Sequence, residues 1–175
     1  MREKRGLVQV YTGDGKGKTT AAWGQALRAV GAGFRVAVVQ FLKHDESSEV
    51  KAVKSLPNLT ILGQTRPYDA RIDQRNSVEI EADSRKNFET ASDLFLSGEY
   101  DMVILDEMNV VLEYGFVTRE EMLDLLGKRP EHTEVILTGR YAPKWLIEAA
   151  DLVTEMREVK HPSSSGIKAR KGIEY

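Results

Sequence analysis

The segment that most constrains the fold is the glycine-rich stretch GDGKGKTT, which runs from Gly13 to Thr20. A short apolar strand candidate at residues 7–11 precedes it, and from Lys18 onward the apolar residues follow helical spacing. Glycines let the backbone turn so that successive N–H groups point at one anion, and the following helix N-terminus adds its dipole. Strand, loop and helix together predict a P-loop that binds the phosphates of a nucleotide, with ATP as the expected ligand.

The residues of this loop have distinct expected tasks. Lys18 should give positive charge to the phosphates, and the Thr19 hydroxyl should face Mg²⁺. We expect the whole segment to bind the nucleotide: Gly13, Asp14, Gly15, Lys16, Gly17, Lys18, Thr19 and Thr20. Gly13 and Gly17 enclose three residues where the usual motif has four, so this shortened loop should seat a triphosphate differently from an ordinary ATPase. The alternative is a glycine-rich turn with solvated lysines.

A pair of acids follows a second apolar strand, in DMVILDE at residues 101–107. Asp106 and Glu107 leave this strand together, which would bring carboxylates next to a nucleotide-bound metal ion. Mg²⁺ keeps phosphate oxygens and water among its ligands, so Thr19 with one or both acids would suffice. An acid pair after a strand can also be a solvated strand end, but in combination with the loop it predicts a metal site.

Strands alternate with helices along the rest of the chain. The further strand candidates lie at 34–42, 59–62, 101–105, 135–138 and 152–156, and helices are expected at 78–95, after an N-cap at Thr118, and after Pro143. This alternation predicts an α/β fold, a P-loop NTPase-like three-layer sandwich with a mostly parallel central sheet. We expect residues 1–175 to form a single nucleotide-binding domain, since this is an ordinary domain length.

Three finer expectations concern the helix over 78–95 and two polar segments. The helix should bury one apolar stripe, made of Ala82, Phe88, Ala91, Leu94 and Phe95. The segments 63–77 and 160–175 interrupt the alternation, and such loops at the carboxyl ends of strands are suited to cover a substrate.

Composition excludes several other classes of protein. The 25 basic and 27 acidic residues nearly balance, which argues against non-specific binding of nucleic acid. The chain has no cysteine, so a disulfide framework, a thiolate metal site and a thiol nucleophile are excluded. Its three histidines are far apart, and its apolar runs are too short to cross a membrane. We expect a cytoplasmic protein.

The chain resembles the P-loop corrinoid adenosyltransferases, enzymes that convert cob(I)alamin and ATP into adenosylcobalamin and triphosphate. The shortened phosphate loop is a feature of that family. The resemblance covers most of the chain and is carried by these stretches: RGLVQVYTGDGKGKTTAA, VAVVQFLK, DMVILDE, VILTGR, ADLVTEM and KHPSSSGIKARKGIEY.

The resemblance implies that Co(I) attacks the ribose C5′ of ATP and that the whole triphosphate leaves. It assigns the triphosphate to residues 15–19 and Mg²⁺ to Thr19 and Glu107. Arg28 would lie near the nucleoside and Arg140 near the phosphates, so Lys18, Glu107 and Arg140 are the expected catalytic residues. The alternative for each arginine is a surface ion pair. The resemblance also implies a homodimer and a reductant for cobalt, with a flavoprotein as the candidate.

One part of the family pattern is absent. Related enzymes have aromatic residues, in a Gly-Phe-Thr-Trp-like stretch, where this chain has Gly63, Gln64, Thr65 and Arg66. In the family those aromatics face the corrinoid and help to displace its lower axial ligand. Here Tyr68 is the nearest aromatic residue. The ATP side of the resemblance is unaffected, and the corrinoid side is left open to another residue, another corrinoid or another substrate. The alternative is a variable surface loop with no role in substrate binding.

Two other functions stay open at this point. A P-loop ATPase or kinase would release phosphate or phosphorylate an acceptor, and the shortened loop argues against it. A non-catalytic protein that binds ATP or carries a corrinoid would bind ATP without turnover when Co(I) is supplied. The basic tail GIKARKGIEY fits either a contact with an anionic ligand or a solvated terminus.

Overall fold

The computed structural model describes residues 5–43, 48–53, 55–63 and 77–173. Six strands form its sheet: β1 (Val8–Thr12), β2 (Val36–Gln40), β3 (Leu59–Leu62), β4 (Met102–Asp106), β5 (Glu134–Thr138) and β6 (Leu152–Glu155). Six α-helices accompany them: α1 (Lys18–Gly31), α2 (Ser48–Val53), α3 (Ser77–Ser97), α4 (Met108–Glu113), α5 (Arg119–Lys128) and α6 (Lys144–Ala149). A 3₁₀ turn at Pro162–Ser165 follows β6.

The strands pair in the order β3-β2-β4-β5-β1-β6, and every pairing is parallel. The predicted three-layer α/β fold is confirmed, and the strand limits read from the sequence agree within two residues at each end. Residues 36–40 and 102–106 are buried throughout, because alternate side chains face helices on opposite sides of the sheet.

Two apolar cores fill the space between the three layers. On one face, α1 and α2 cover residues such as Val36, Val38 and Ile104, with Trp23 at the centre of this core. On the other face, α3 to α6 cover the alternate residues of the same strands, among them Val39. The sheet is therefore covered by an apolar core on each of its two faces.

The inward face of α3 differs from the predicted stripe. Ala91, Leu94 and Phe95 are buried as expected, whereas Ala82 is exposed and Phe88 is only partly buried. Two polar residues, Ser84 and Asn87, are buried on this face. Asn87 faces the sheet because its Nδ2 donates a hydrogen bond to the backbone oxygen of Gln40 (3.1 Å), so the strand end meets a polar partner.

The strand order decides where functional side chains can meet. All carboxyl ends of a parallel sheet lie at one edge, and α1 begins at this edge directly after β1. β5 lies between β1 and β4, so the end of β5 separates the phosphate loop from the acids that follow β4. Within the described residues no helix is both long enough and apolar enough to cross a membrane.

Candidate nucleotide-binding site

The phosphate loop connects β1 to α1 as the sequence predicts. Gly13 and Gly17 have φ angles of 95° and 121°, values that side-chain-bearing residues rarely adopt. Gly17 is the N-cap residue of α1 and offers no side chain to the amides of the first helical turn. These amides and the helix dipole therefore remain suited to an anion such as a phosphate.

The loop lysine is folded back onto its own loop. Lys18 Nζ donates hydrogen bonds to the backbone oxygens of Gly13 (2.7 Å) and Gly15 (2.8 Å). Burial lowers the pKa of the Lys18 ammonium; the positive charges of Arg140 and Lys43 act in the same direction, and the carboxylates of Glu107 and Asp14 oppose them. A concentration of positive charge of this kind is suited to a polyanionic ligand.

The two predicted acids lie at the end of β4 but in different surroundings. Asp106 is buried, with 1% of its surface exposed, whereas Glu107 is partly exposed and is the N-cap residue of α4. Glu107 has a φ of 68°, in the left-handed region, so the chain turns sharply between strand and helix. Of the two carboxylates, that of Asp106 faces the amino-terminal end of α1, where Thr19 lies.

Thr138, the last residue of β5, connects these two acids. Its hydroxyl donates to Asp106 Oδ1 (2.6 Å) and accepts from the backbone N–H of Glu107 (3.0 Å). Thr19 Oγ1 also donates to Asp106 Oδ1 (3.0 Å). Asp106 thus joins the phosphate loop, β4 and β5 in one hydrogen-bond network, which brings Thr19 and the acid pair together as predicted.

Lys43, which is not among the predicted site residues, lies at the centre of this network. Its Nζ is 2.6 Å from Thr19 Oγ1, 2.7 Å from Asp106 Oδ2 and 3.4 Å from Glu107 Oε1. Burial alone would lower the pKa of Lys43, but the two carboxylates outweigh it and raise the pKa. Burial by itself would raise the pKa of the Asp106 carboxyl. The contact with Lys43 acts against burial, and the pKa of Asp106 is lowered. The sequence signal for Lys43 is its position just after the apolar run VAVVQFL. This signal places Lys43 near the acid pair only when β2 and β4 are known to be neighbours.

Lys43 shows that these oxygens can surround a cation. A hydroxyl and two carboxylates are hard oxygen donors of the type that Mg²⁺ prefers, and all three meet at one positive charge. Across residues 5–43, 48–53, 55–63 and 77–173, no group of three or more His, Cys, Asp or Glu side chains could hold a metal by itself. The arrangement therefore fits a cation that brings further ligands with it, as a nucleotide-bound Mg²⁺ does.

Asn109 fixes the loop end of β1 against the end of β5. This buried amide donates from Nδ2 to the backbone oxygens of Tyr11 (3.2 Å) and Gly139 (2.9 Å). A Cβ on Gly139, whose φ is 131°, would lie 3.1 Å from the Asn109 Cβ, so a glycine is required at this close approach.

The remaining predicted residues divide between the loop and more distant positions. Arg140 lies beside the phosphate loop, with its Nε 3.8 Å from Asp14 Oδ1 in an exposed ion pair. Thr20 is exposed in the first turn of α1. Arg28 lies ten residues after Lys18, about 15 Å along the helix, and donates to Gln25 Oε1 (3.3 Å), so the structure does not bring it to the phosphate loop.

The segment after β6 packs on the phosphate loop. The backbone oxygen of Met156 accepts the N–H of Gly15 (2.7 Å), and Lys16 Nζ donates to the backbone oxygen of Ile173 (2.6 Å). A Cβ on Gly15 would lie 2.7 Å from atoms of Met156 and Arg157, so the close contact requires glycine. The basic tail thus reaches the loop that is expected to bind an anion.

The segment expected to face the corrinoid lies outside the described residues. This holds for Gln64, Thr65, Arg66 and Tyr68, while Gly63 is the last described residue before them. Gly63 has a φ of 88°, and a Cβ there would lie 2.5 Å from the Gln40 backbone oxygen. The chain therefore leaves β3 close against the end of β2.

Comparison with known proteins gives a consistent result. The family model described as "ATP:corrinoid adenosyltransferase BtuR/CobO/CobP" matches residues 4–175. The corrinoid adenosyltransferase of Pseudomonas aeruginosa is 36% identical over 178 residues, covering 99% of this chain and 86% of the relative. The corrinoid adenosyltransferase of Escherichia coli K12 is 37% identical over 174 residues, covering 99% and 88%. The corrinoid adenosyltransferase CobA of Salmonella typhimurium is 36% identical, with the same coverage.

Proposed function

This chain belongs to the ATP:corrinoid adenosyltransferase family, and we propose how its own residues move the 5′-deoxyadenosyl group of ATP to the Co(I) of a corrinoid with release of triphosphate. The electron pair of Co(I) forms the bond to C5′, the C5′–O5′ bond breaks, and its electrons leave with the triphosphate. No proton is transferred in this step. The protein's task is to align the two substrates and to stabilise charge on the leaving group.

The observation that supports this proposal best is the concentration of positive charge around a shortened phosphate loop. Lys16 and Lys18 belong to the loop, Arg140 lies beside it, and the first amides of α1 face it. Lys18 would exchange the loop oxygens of Gly13 and Gly15 for phosphate oxygens when ATP binds. Donors fixed in this way stabilise the charge that develops on the departing triphosphate without further reorganisation.

Mg²⁺ is the metal ion that we propose for this reaction. Thr19, Asp106 and Glu107 would hold it, because their oxygens already meet at one cation. When bound, Mg²⁺ would neutralise charge on the triphosphate. Thr138 would orient both carboxylates, since its hydroxyl contacts Asp106 and the backbone of Glu107.

Variants of the proposed catalytic residues test this assignment. Lys18→Met and Glu107→Gln should each lower the rate of adenosylcobalamin formation from Co(I) and ATP by about 10²–10³-fold, because each removes charge aimed at the triphosphate or its metal. Lys128→Met is the matched control, since Lys128 forms an exposed pair with Asp124 within α5. Wild-type rates in Lys18→Met and Glu107→Gln would contradict the assignment.

Arg140→Met and Arg28→Met distinguish the two predicted arginines. Arg140 borders the phosphate loop, so Arg140→Met should weaken ATP binding measured by calorimetry without corrinoid. Arg28→Met should weaken it only if the nucleoside extends along α1 to the third turn. Equal ATP affinity in wild type and Arg140→Met would contradict a phosphate contact for Arg140.

The partners proposed for this chain follow its family. We propose a homodimer, and a flavoprotein as the source of the electron that produces Co(I). Sedimentation equilibrium tests the first proposal, and a reconstituted assay that replaces the chemical reductant with a reduced flavoprotein tests the second. A monomer at all concentrations would contradict the first proposal. Failure of reduced flavoproteins to support a reaction that proceeds with a chemical reductant would contradict the second.

A further inference from the structure

The cation position between Thr19, Asp106 and Glu107 is occupied by a residue of the chain itself. Lys43 Nζ is 2.6 Å from Thr19 Oγ1 and 2.7 Å from Asp106 Oδ2. Mg²⁺ binds oxygen ligands at about 2.0–2.1 Å, so an ammonium and a metal ion cannot use the same two oxygens together. We propose that Lys43 is a resident counter-ion that keeps divalent cations out of this site until a nucleotide arrives.

The backbone before Lys43 is built to hold it there. Phe41 N–H donates to the backbone oxygen of Asp106 (2.9 Å), which extends the β2–β4 pairing one residue beyond β2. The next residue, Leu42, has a φ of 52°, an uncommon left-handed conformation for a large side chain. Leu42 is also buried, so packing holds this strained turn in place. The turn brings Lys43 back over the end of β4.

Charge balance explains why the position needs a cation at all times. Asp106 has 1% of its surface exposed, and a buried carboxylate without a positive partner is strongly unfavourable. Glu107 adds a second negative charge within 3.4 Å of the same ammonium. Lys43 supplies the positive charge while no metal ion is bound, and a metal ion would make it redundant.

This exchange would set the order of binding, and it rests on the proposed assignment of Mg²⁺ to the three oxygen ligands. A free metal ion gains only the protein oxygens and must displace Lys43. A nucleotide-bound metal ion brings phosphate ligands of its own, and the triphosphate offers the displaced ammonium new acceptors. Mg²⁺ should therefore enter with ATP and not before it.

The test measures metal binding without ATP or corrinoid. Mn²⁺, detected by electron paramagnetic resonance, should bind Lys43→Met at least about tenfold more tightly than it binds the wild type, because a unit charge within 4 Å of the site has been removed. Lys128→Met, at an exposed pair in α5, should bind Mn²⁺ as the wild type does. Equal or weaker Mn²⁺ binding by Lys43→Met would overturn the proposal.

Thermal unfolding gives an independent readout. Metal-free Lys43→Met should melt below the wild type, and millimolar Mg²⁺ should restore most of its Tm while changing that of the wild type little. If Lys43→Met folds only when Mn²⁺ or Mg²⁺ is present, the proposal is supported. If Lys43→Met stays unfolded with either ion while Lys43→Met/Asp106→Asn folds without them, the site does not accept a metal and the proposal is refuted.

The outcomes separate this inference from the proposed function. Adenosylcobalamin formation by the wild type with unchanged Mn²⁺ binding in Lys43→Met would refute the counter-ion role alone. Tighter Mn²⁺ binding by Lys43→Met, together with a wild type that forms no adenosylcobalamin, would refute the function and leave the cation site standing.

Discussion

Replacing Thr138 with valine tests how the two carboxylates are held. Thr138→Val keeps the shape of the side chain and removes the hydroxyl that contacts Asp106 Oδ1 (2.6 Å) and the N–H of Glu107 (3.0 Å). A hydrogen bond to a charged group contributes about 1.5–3 kcal/mol, and an amide left without its acceptor costs about 1–3 kcal/mol. The free energy of unfolding should therefore fall by about 2.5–6 kcal/mol, and Tm by about 5–24 °C for a chain of this length.

Thr133 offers a matched control within the same strand region. It is as buried as Thr138, and its Oγ1 donates one hydrogen bond to a neutral acceptor, the backbone oxygen of Tyr100 (2.9 Å). Thr133→Val should therefore cost about 1 kcal/mol, or about 2–4 °C in Tm. Both substitutions exchange a buried hydroxyl for a methyl group, so the effect of added apolar volume cancels in the comparison.

The assays are thermal unfolding by circular dichroism and adenosylcobalamin formation at saturating Co(I). Thr138→Val should also lower kcat/KM for ATP by about 10–100-fold, the usual effect of removing a partner that orients a metal ligand. Thr133→Val should leave kcat/KM unchanged. If the two variants melt together and Thr138→Val keeps wild-type kcat/KM, the hydroxyl does not hold the acid pair and the reasoning fails.

Four further substitutions test the phosphate loop, α1 and the start of α5. Gly13→Ala should lower Tm and abolish ATP binding, because the φ of Gly13 is 95° and a Cβ would lie 2.4 Å from the Met156 backbone oxygen. Gly24 in α1 has open space around it, so the control Gly24→Ala should raise the free energy of unfolding by about 0.5–1 kcal/mol. Thr118→Ala removes the capping box of α5 and should lower the free energy of unfolding, measured in urea, by about 1 kcal/mol. An unchanged free energy of unfolding would contradict this role of Thr118. Hydrogen bonding to the Thr118 N–H lowers the pKa of Glu121 below 4.5, so its stabilisation is present above pH 4.5 and lost as the pH falls through the lowered value. Glu121→Gln should therefore flatten stability against pH in this acidic range, and an unaltered profile would contradict it.

The strands and the phosphate loop could be predicted because their signals are local. The continuous apolar runs at 36–40 and 102–106 are buried on both faces, and the predicted N-cap Thr118 forms a capping box. The short helices α2 and α4 were missed, since six residues are too few to show a helical period. α4 also begins at Met108, only one residue after β4, and no glycine, proline or asparagine marks the turn at Glu107.

The site was predicted in part, because some of its contacts join residues distant in sequence. The acid pair could be predicted, as acids at a strand end have a known relation to a phosphate loop. Lys43 and Thr138 could not, since their roles depend on β2 and β5 lying on either side of β4. Arg28, in the third turn of α1, is assigned by the family resemblance to the nucleoside and not to the phosphates, and this assignment stays a prediction.

The most direct test of the whole account follows both products of one reaction. Reduced cobalamin, ATP and Mg²⁺ are mixed without oxygen, the cobalt spectrum is recorded, and the phosphate products are separated by chromatography. The account predicts an alkylcobalamin spectrum and one intact triphosphate for each cobalt alkylated. Release of orthophosphate, or ATP binding with an unchanged Co(I) spectrum, would contradict transfer of the adenosyl group and leave a nucleotide-binding protein with another role.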